Sequence, residues 1–406
     1  MIETADATST RAVRRKERAR SALPLFRISL RPFFLLGSIW AVAAVGIWLG
    51  WLAALFDLPG QMEPVAWHQH EMLFGFASAV ITGFILTAIP NWTGRLPVAG
   101  WALAALASLW LAGRVALLMS SIIGEPAAAL IDVAFLFVLA GVIAREIIKA
   151  GNWRNLLPAL LITLLAFANV LFHLESQDVV VQEGLGARLA IAAIAMLIGL
   201  IGGRIVPSFT RNWLVKRQAA GLPSSFGTLD KLALLLLATA LLAWIAGPES
   251  RLSGGLLAAA GIAHALRLAR WSGWRCLAEP LVLILHVGYS WLAIGVGLLG
   301  LANLVPALAD LAALHALTAG AFGTMMLAVM TRATLGHTGR AMTADGVTVL
   351  IYAAVTLGAM ARVVSPLFPG ETWLMAAGLL WAGAFLLFAL IYGPMMLGVR
   401  PRSTAI

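Results

Sequence analysis

The chain has 406 residues, 61% of them hydrophobic and only 11% charged, with a mean hydropathy of +0.93. A soluble domain carries roughly a quarter charged residues, and no water-soluble fold hides this much apolar surface. The composition therefore excludes a string of soluble domains and predicts a polytopic, all-α membrane protein. The formal charge of +10 raises nucleic acid as a partner, but the placement of the charge argues against it.

In chain order, residues 1–30 read as a basic segment, densest over Arg11–Arg20. It is the topogenic flank of a first span. It is not a cleaved signal peptide, because the following apolar run is too long and lacks a small-residue cleavage site. Apolar runs follow at 33–56, 69–90, 97–120, 126–148, 155–174, 185–207, 229–247, 253–270, 277–301, 307–331, 345–365 and 372–397. Each is long enough to cross a bilayer as a helix. No segment alternates with period two in the manner of a β-barrel. Residues 31–398 thus predict a twelve-helix transmembrane domain, with 399–406 as a tail.

Of the 28 Lys and Arg residues, all but Arg114, Arg188, Arg251 and Arg362 fall at one set of span ends. The positive-inside rule then places both termini in the cytoplasm. This distribution identifies the lipid bilayer, not nucleic acid, as the partner of the basic charge. A lone cysteine, Cys276, excludes a disulfide framework, a cysteine-based zinc site and an iron–sulfur cluster. No Walker, Rossmann or HExxH motif is present.

Ionisable groups inside lipid are costly and mark function. Of seven histidines, His68 and His70 open the second span, followed by Glu71. His173 closes the fifth span and His315 lies near the start of the tenth, all on the external side. His264 and His286 lie nearer the midplane, and His337 falls in a cytoplasmic loop. Each is open to reading as a hydrogen-bonded interior histidine or as a metal or heme ligand. His68 and His70 cannot serve one centre from a regular helix, being about 200° apart around it.

The segment His70…Gly75…Thr93-Gly94-Arg95 recurs as His315…Gly320…Thr338-Gly339-Arg340, with Ala88 and Ala333 also matching. The offset of 245 residues joins spans two and ten. It suits three four-helix units, and not the six-plus-six halves of a major-facilitator transporter. Asn91-Trp92 has a weaker echo in Asn212-Trp213 after span six. A histidine at matched depth on two co-directional helices suits the two axial bonds of one heme, so His70 and His315 are the candidate axial ligands. Gly75 and Gly320 then admit a flat macrocycle, or else serve close helix packing. Arg114 and Arg362 are candidate partners of heme propionates, or else snorkel to the interface. His68, His173, His264 and His286 are candidates for a second metal site.

Glu71 has three readings: a proton path to a metal centre, a partner that orients an imidazole N–H, or an interfacial carboxylate stabilised by the helix dipole. Asp132, within span four, is expected to be buried against a polar neighbour. Asn91–Arg95, Arg204–Arg217 and Arg332–Arg340 read either as an anion-binding or mutually clamping set, or as capped helix ends with interfacial tryptophans. Met325, Met326 and Met330 read as core filler or as Cu(I) ligands.

Several long stretches resemble one family: Trp67-His-Gln-His-Glu-Met-Leu-Phe-Gly75, Pro90-Asn-Trp-Thr-Gly-Arg95, Gly202-Gly-Arg-Ile-Val-Pro-Ser-Phe-Thr-Arg-Asn-Trp213, His286-Val-Gly-Tyr289, and His315-Ala-Leu-Thr through Met330-Thr-Arg-Ala-Thr-Leu-Gly-His-Thr-Gly-Arg340. With Arg31-Pro-Phe-Phe and Tyr392-Gly-Pro, they resemble the NnrS proteins of the bacterial response to nitric oxide. The resemblance implies heme of the b type and copper as cofactors, and nitric oxide or its nitrosyl adducts as ligand. It further implies an unspecified electron donor, the bacterial inner membrane and protection from nitrosative stress. The layout also looks like the catalytic subunit of heme–copper oxidases and nitric oxide reductases. It departs from that pattern because spans six and seven carry no histidine. The competing class is a proton- or ion-coupled secondary transporter using Glu71 and the histidines as a relay. The repeat offset and the outer depth of four histidines favour the heme reading, since alternating-access sites lie near the midplane.

Overall fold

The computed structural model describes residues 22–179, 183–305, 310–368 and 370–398. The basic stretch Arg11–Arg20 and the tail 399–406 lie outside the described residues. Among the described residues, twelve helices are long and apolar enough to cross a membrane. They are α1 (Leu30–Leu52), α2 (Pro64–Thr93), α3 (Trp101–Leu118), α4 (Glu125–Ala150), α5 (Trp153–Ser176), α6 (Leu185–Lys216), α7 (Thr228–Ala246), α8 (Arg251–Ala269), α9 (Pro280–Leu304), α10 (Leu311–His337), α11 (Gly346–Leu367) and α12 (Thr372–Met396). The protein is a polytopic helical membrane protein, and no strand occurs among the described residues.

All twelve expected spans are present, but several boundaries differ. α2 begins at Pro64, whose fixed φ suits a first helical turn, so His68, His70 and Glu71 lie inside the helix. α6 runs on to Lys216 and α10 to His337, so His337 ends a helix and does not lie in a loop. Hydropathy marks where hydrocarbon ends, whereas a helix continues into water until a cap or breaker stops it.

Neighbouring helices pack as antiparallel pairs, and α12 returns against α1. α8 and α9 approach most closely through glycines: a Cβ on Gly261 would lie 2.7 Å from the Gly297 Cα. Small residues permit this because dispersion and backbone proximity, not the hydrophobic effect, hold helices together in lipid. The innermost helices are α2, α6 and α10, whose apolar windows are 72%, 78% and 72% buried, with α9 next at 67%.

Each of these three inner helices contains a π-helical segment: Glu71–Ala77 in α2, Ile198–Gly202 in α6 and Ala316–Gly323 in α10. The first and third begin 245 residues apart, the offset seen in the sequence. A widened turn disturbs the regular backbone ladder, and a carbonyl in lipid needs a partner. Each segment has a carbonyl that receives a side chain from another helix. Trp110 Nε1 of α3 donates to Gly75 O at 3.0 Å, Arg267 Nη1 of α8 to Gly199 O at 2.8 Å, and Trp381 Nε1 of α12 to Ala319 O at 3.2 Å. The distortions thus fall on every fourth helix.

The repeat extends to the helix ends. Gly94 after α2 and Gly339 after α10 both adopt left-handed φ, +66° and +70°. Nothing lies within 4 Å of a Cβ at either site, so substitution is opposed by the backbone alone. Gly94→Ala and Gly339→Ala are each expected to cost about 1–2 kcal/mol, measured by reversible unfolding in mixed detergent micelles. At the start of α11, Asp345 accepts from Thr348 N at 2.8 Å and Thr348 Oγ1 at 2.7 Å. These bonds hold its carboxyl below the ordinary 3.8. A depressed carboxylate pKa stabilises the fold above the unfolded value and loses that contribution as pH falls through the folded one. Asp345→Ala should therefore cost about 1 kcal/mol at neutral pH, and the difference from wild type should shrink below about pH 4.

Candidate functional site

The π segment of α2 opens directly after His70. In a regular helix His70 and Glu71 would diverge by about 100°. The wider turn narrows that angle, and both side chains are fully buried. Around them converge Arg114 from α3, Asp132 from α4, Asn169 and His173 from α5, and Trp40 from α1.

The Glu71 carboxylate accepts from Arg114 Nη1 at 2.7 and 2.8 Å and from Trp40 Nε1 at 2.5 Å. His70 Nδ1 lies 3.1 Å from Glu71 Oε1. Arg114 reaches the other way through Nη2 to Asp132 Oδ1. The second oxygen, Asp132 Oδ2, is left facing three groups: Asn169 Nδ2 at 2.8 Å, His173 Nε2 at 3.1 Å and His70 Nε2 at 3.1 Å. Asn169 Oδ1 lies 2.9 Å from His70 Nε2. Arg114 thus holds the two carboxylates apart and turns one oxygen of Asp132 toward two imidazoles.

Glycine makes the room. A Cβ on Gly75 would stand 2.6 Å from both Arg114 Nη1 and Glu71 Oε2, and one on Gly113 would stand 2.9 Å from Asp132 Oδ1. Gly75 therefore faces the Glu71–Arg114 pair, and its counterpart Gly320 faces the indole of Trp291, 2.7 Å from a Cβ there. Protein side chains fill the space that a macrocycle over either glycine would need. Arg114 is likewise committed to two carboxylates.

Among the described residues, His70, Asp132 and His173 form the one group of three potential metal ligands, with donor atoms within 4.8 Å of one another. With neutral imidazoles, Glu71, Asp132 and Arg114 carry one net negative charge. One further positive charge, a proton or a metal cation, balances it.

His68 points elsewhere, as a two-residue separation requires. Its ring stacks on Trp48, 4.6 Å away and inclined by 17°, and its Nδ1 is buried without a hydrogen-bond partner. It lies within electrostatic reach of His315 and Arg362. His315 uses Nδ1 to bond Leu311 O at 2.8 Å, leaving Nε2 for another partner. Arg362 donates to Ser365 Oγ at 2.9 Å. The α2 histidine that shares surroundings with His315 is therefore His68, whereas His70 has both ring nitrogens engaged in the buried cluster.

His264 and His286 do not meet at a shared partner. His264 bonds Tyr289 Oη at 2.8 Å and Ala233 O at 3.2 Å, within a second buried charge network. There Arg267 donates to Asp230 Oδ1 at 2.7 Å and to Tyr289 Oη at 2.8 Å. His286 bonds Thr210 Oγ1 at 2.8 Å, and its Nδ1 abuts Gly273. Met325, Met326 and Met330 are buried in the apolar core. At the basic end, Arg95 finds a carboxylate that the sequence reading missed, Glu146 of α4.

Asn169 and Trp40 were not singled out from the sequence. Asn169 lies four residues before His173, so the two share a helix face, and that spacing was a usable signal. Nothing local marks Trp40 apart from the other fourteen tryptophans of the fifteen.

The fold and this buried charge cluster define a class: polytopic helical membrane proteins with ionisable groups sealed between their spans. The model of one family, described as NnrS protein, matches residues 24–400. The chain belongs to the NnrS family. No curated protein matches it in sequence.

Removing one partner of a buried ion pair strands the other, at about 3–5 kcal/mol. Arg114→Met strands both Glu71 and Asp132 and should destabilise the protein by that order. Adding Asp132→Asn should recover part of the loss, because one of the two stranded carboxylates is then gone. Unfolding of the single and double variants in detergent measures both effects, and an unchanged or further destabilised double variant would contradict the coupling.

Proposed function

We propose that the protein is a heme- and copper-dependent membrane protein of the nitric oxide response, with both termini in the cytoplasm of a bacterial cell and the histidine groups near the external face. The observation that carries this reading is the His70–Asp132–His173 grouping. Two imidazoles and a carboxylate are a donor set that suits copper, zinc or iron. The charge of the cluster favours a cation, and Arg114 and Glu71 hold the ligands from behind, as outer partners of metal ligands do.

Heme is the second implied group. Its fit is supported by the orphaned Nδ1 of His68 and by the uncommitted Nε2 of His315 nearby. These two residues would hold it, in place of the His70–His315 pair expected from the repeat, with Arg362 as the nearby cation for its carboxylates. When bound, heme and copper supply electron transfer and an affinity for diatomic ligands.

The residues themselves perform definable tasks. Glu71 receives the His70 Nδ1–H, which orients the ring. Nε2 of the neutral ring then carries the lone pair and faces the Asn169 Oδ1 and Asp132 Oδ2 oxygens, which leaves it for a cation. Trp40 and Trp110 close the cluster from α1 and α3 and exclude water. This arrangement favours Glu71 as a positioning residue over Glu71 as a proton path, since its carboxylate is wholly enclosed.

Metal analysis and absorption spectra of the purified protein test the proposal. His70→Ala and His173→Ala should each lose transition metal while retaining heme. His68→Ala and His315→Ala should each diminish the Soret band while retaining the metal. His264→Ala should do neither. A colourless, metal-free wild-type protein purified from cells supplied with heme and copper would sink the reading and favour the ion-coupled transporter. Glu71→Gln should alter the spectrum or affinity of the metal, as a positioning role requires.

A further inference from the structure

At the basic end of the bundle, the three inner helices α2, α6 and α10 separate around a cavity of about 480 Å³. It lies roughly 30 Å along α2 from His70, at 1.5 Å per residue from there to Asn91, and is distinct from the histidine groups. Arg204 of α6 and Arg332 of α10 enter it, with Asn91 and Trp92 of α2. Apart from Thr87, the remaining wall is apolar and aromatic, including Phe84 and Phe209. Gly336 and His337, both exposed, stand at its rim.

The two guanidinium groups have no carboxylate of their own. None of the described ion pairs includes Arg204 or Arg332. Arg204 Nη1 reaches the neutral amide of Asn155 at 3.3 Å. Arg332 lies over the ring of Phe209, 3.9 Å from its centroid. Glu279 acts on Arg332 only from beyond ion-pair distance. The fully buried Arg114 and Arg267 are matched to carboxylates, whereas Arg332 is half-buried and Arg204 exposed at the cavity mouth. Two unmatched guanidinium groups facing one cavity leave an excess of positive potential in a partly desolvated space, where an anion is held more strongly than in water.

We propose that this cavity binds an anion carried on an apolar, flat body: an aromatic or aliphatic carboxylate or phosphate. Arg204 and Arg332 hold the charged group, and Trp92, Phe84 and Phe209 hold the body. The volume exceeds what a bare oxyanion fills, and the apolar wall gives such an ion nothing to contact. Because the most buried helices of the bundle enclose the cavity, the ligand enters from the aqueous end. The same headgroup chemistry is also offered by an anionic lipid, since basic pockets between helix ends bind such headgroups.

The test uses the full-length protein in nanodiscs of zwitterionic phosphatidylcholine, titrated calorimetrically with 1-naphthyl phosphate. Saturable binding is expected. It should weaken by at least about tenfold in the Arg204→Gln/Arg332→Gln variant, the scale of one lost charge-assisted hydrogen bond. Arg332→Lys, which keeps the charge but not the planar stack on Phe209, should fall between the two. Inorganic phosphate should bind more weakly than the naphthyl ester, and uncharged 1-naphthol should not respond to loss of the arginines. If phosphatidic acid in the nanodisc competes with the probe, the natural source is a lipid headgroup. If it does not, the source is a soluble anion. Circular dichroism of the variants confirms retained helix content. Absence of saturable binding in both nanodiscs, or equal affinity in the double variant, would overturn the proposal.

Discussion

Three charges sealed inside one end of the bundle govern much of this structure. Glu71 and Asp132 stand on either side of the Arg114 guanidinium, and all three are excluded from solvent. Lipid gives such groups no counter-charge, so the protein must supply every partner itself. Five helices are recruited to do so: α1 with Trp40, α2 with His70 and Glu71, α3 with Arg114, α4 with Asp132, and α5 with Asn169 and His173. The glycines at 75 and 113 follow from the same demand, because side chains there would occupy the space of the ion pairs. A buried ion pair adds little net stability over an apolar replacement. Its retention here makes sense as positioning, since it aims one oxygen of Asp132 at two imidazoles.

The α7–α9 side of the bundle solves a related problem differently. Arg267 is buried between Asp230, the Gly199 carbonyl and Tyr289, and Tyr289 in turn bonds His264. Here the acid and the histidine are satisfied within the protein, the base keeps one buried nitrogen, Nη2, without a partner, and no second histidine shares the group. The two networks separate a histidine that completes a hydrogen-bond chain from histidines that converge on one carboxylate oxygen. Sequence position could not distinguish these cases.

The number of spans and their order were legible in the sequence, because hydropathy reports directly on the bilayer. The two helix-ending glycines were legible too, since Gly94 and Gly339 both adopt left-handed φ at the spacing seen in the sequence. The partnership of the histidines was not. Shared depth, direction and repeat position were the premises behind pairing His70 with His315, and the tertiary contacts of His70 turn it instead into the Glu71–Asp132 cluster. The separation of His68 from His70 to opposite faces, argued from helical geometry, places one beside Trp48 and the other beside Asp132. What periodicity could not supply was which face meets which neighbour, because that depends on tertiary packing of helices with nearly uniform apolar surfaces.

The π segments link the repeat to the chemistry. A widened turn is unfavourable in isolation and persists only where tertiary contacts compensate. In all three inner helices the compensation includes a side-chain N–H donated to a carbonyl within the segment, from Trp110, Arg267 or Trp381. In α2 the distortion buries two consecutive polar residues and builds the His70–Glu71 face. In α6 it presents a carbonyl to a buried arginine. In α10 it receives only an indole and carries no charge. One backbone device at three related positions has therefore been loaded with different side chains, and the charged cluster stands where the sequence placed His-Glu at the start of the wide turn. The same turn at Ala316, one residue after His315, has alanine where α2 has Glu71, so no carboxylate there turns the histidine inward. That difference accounts for His70 joining a sealed network while His315 bonds only a backbone carbonyl through Nδ1.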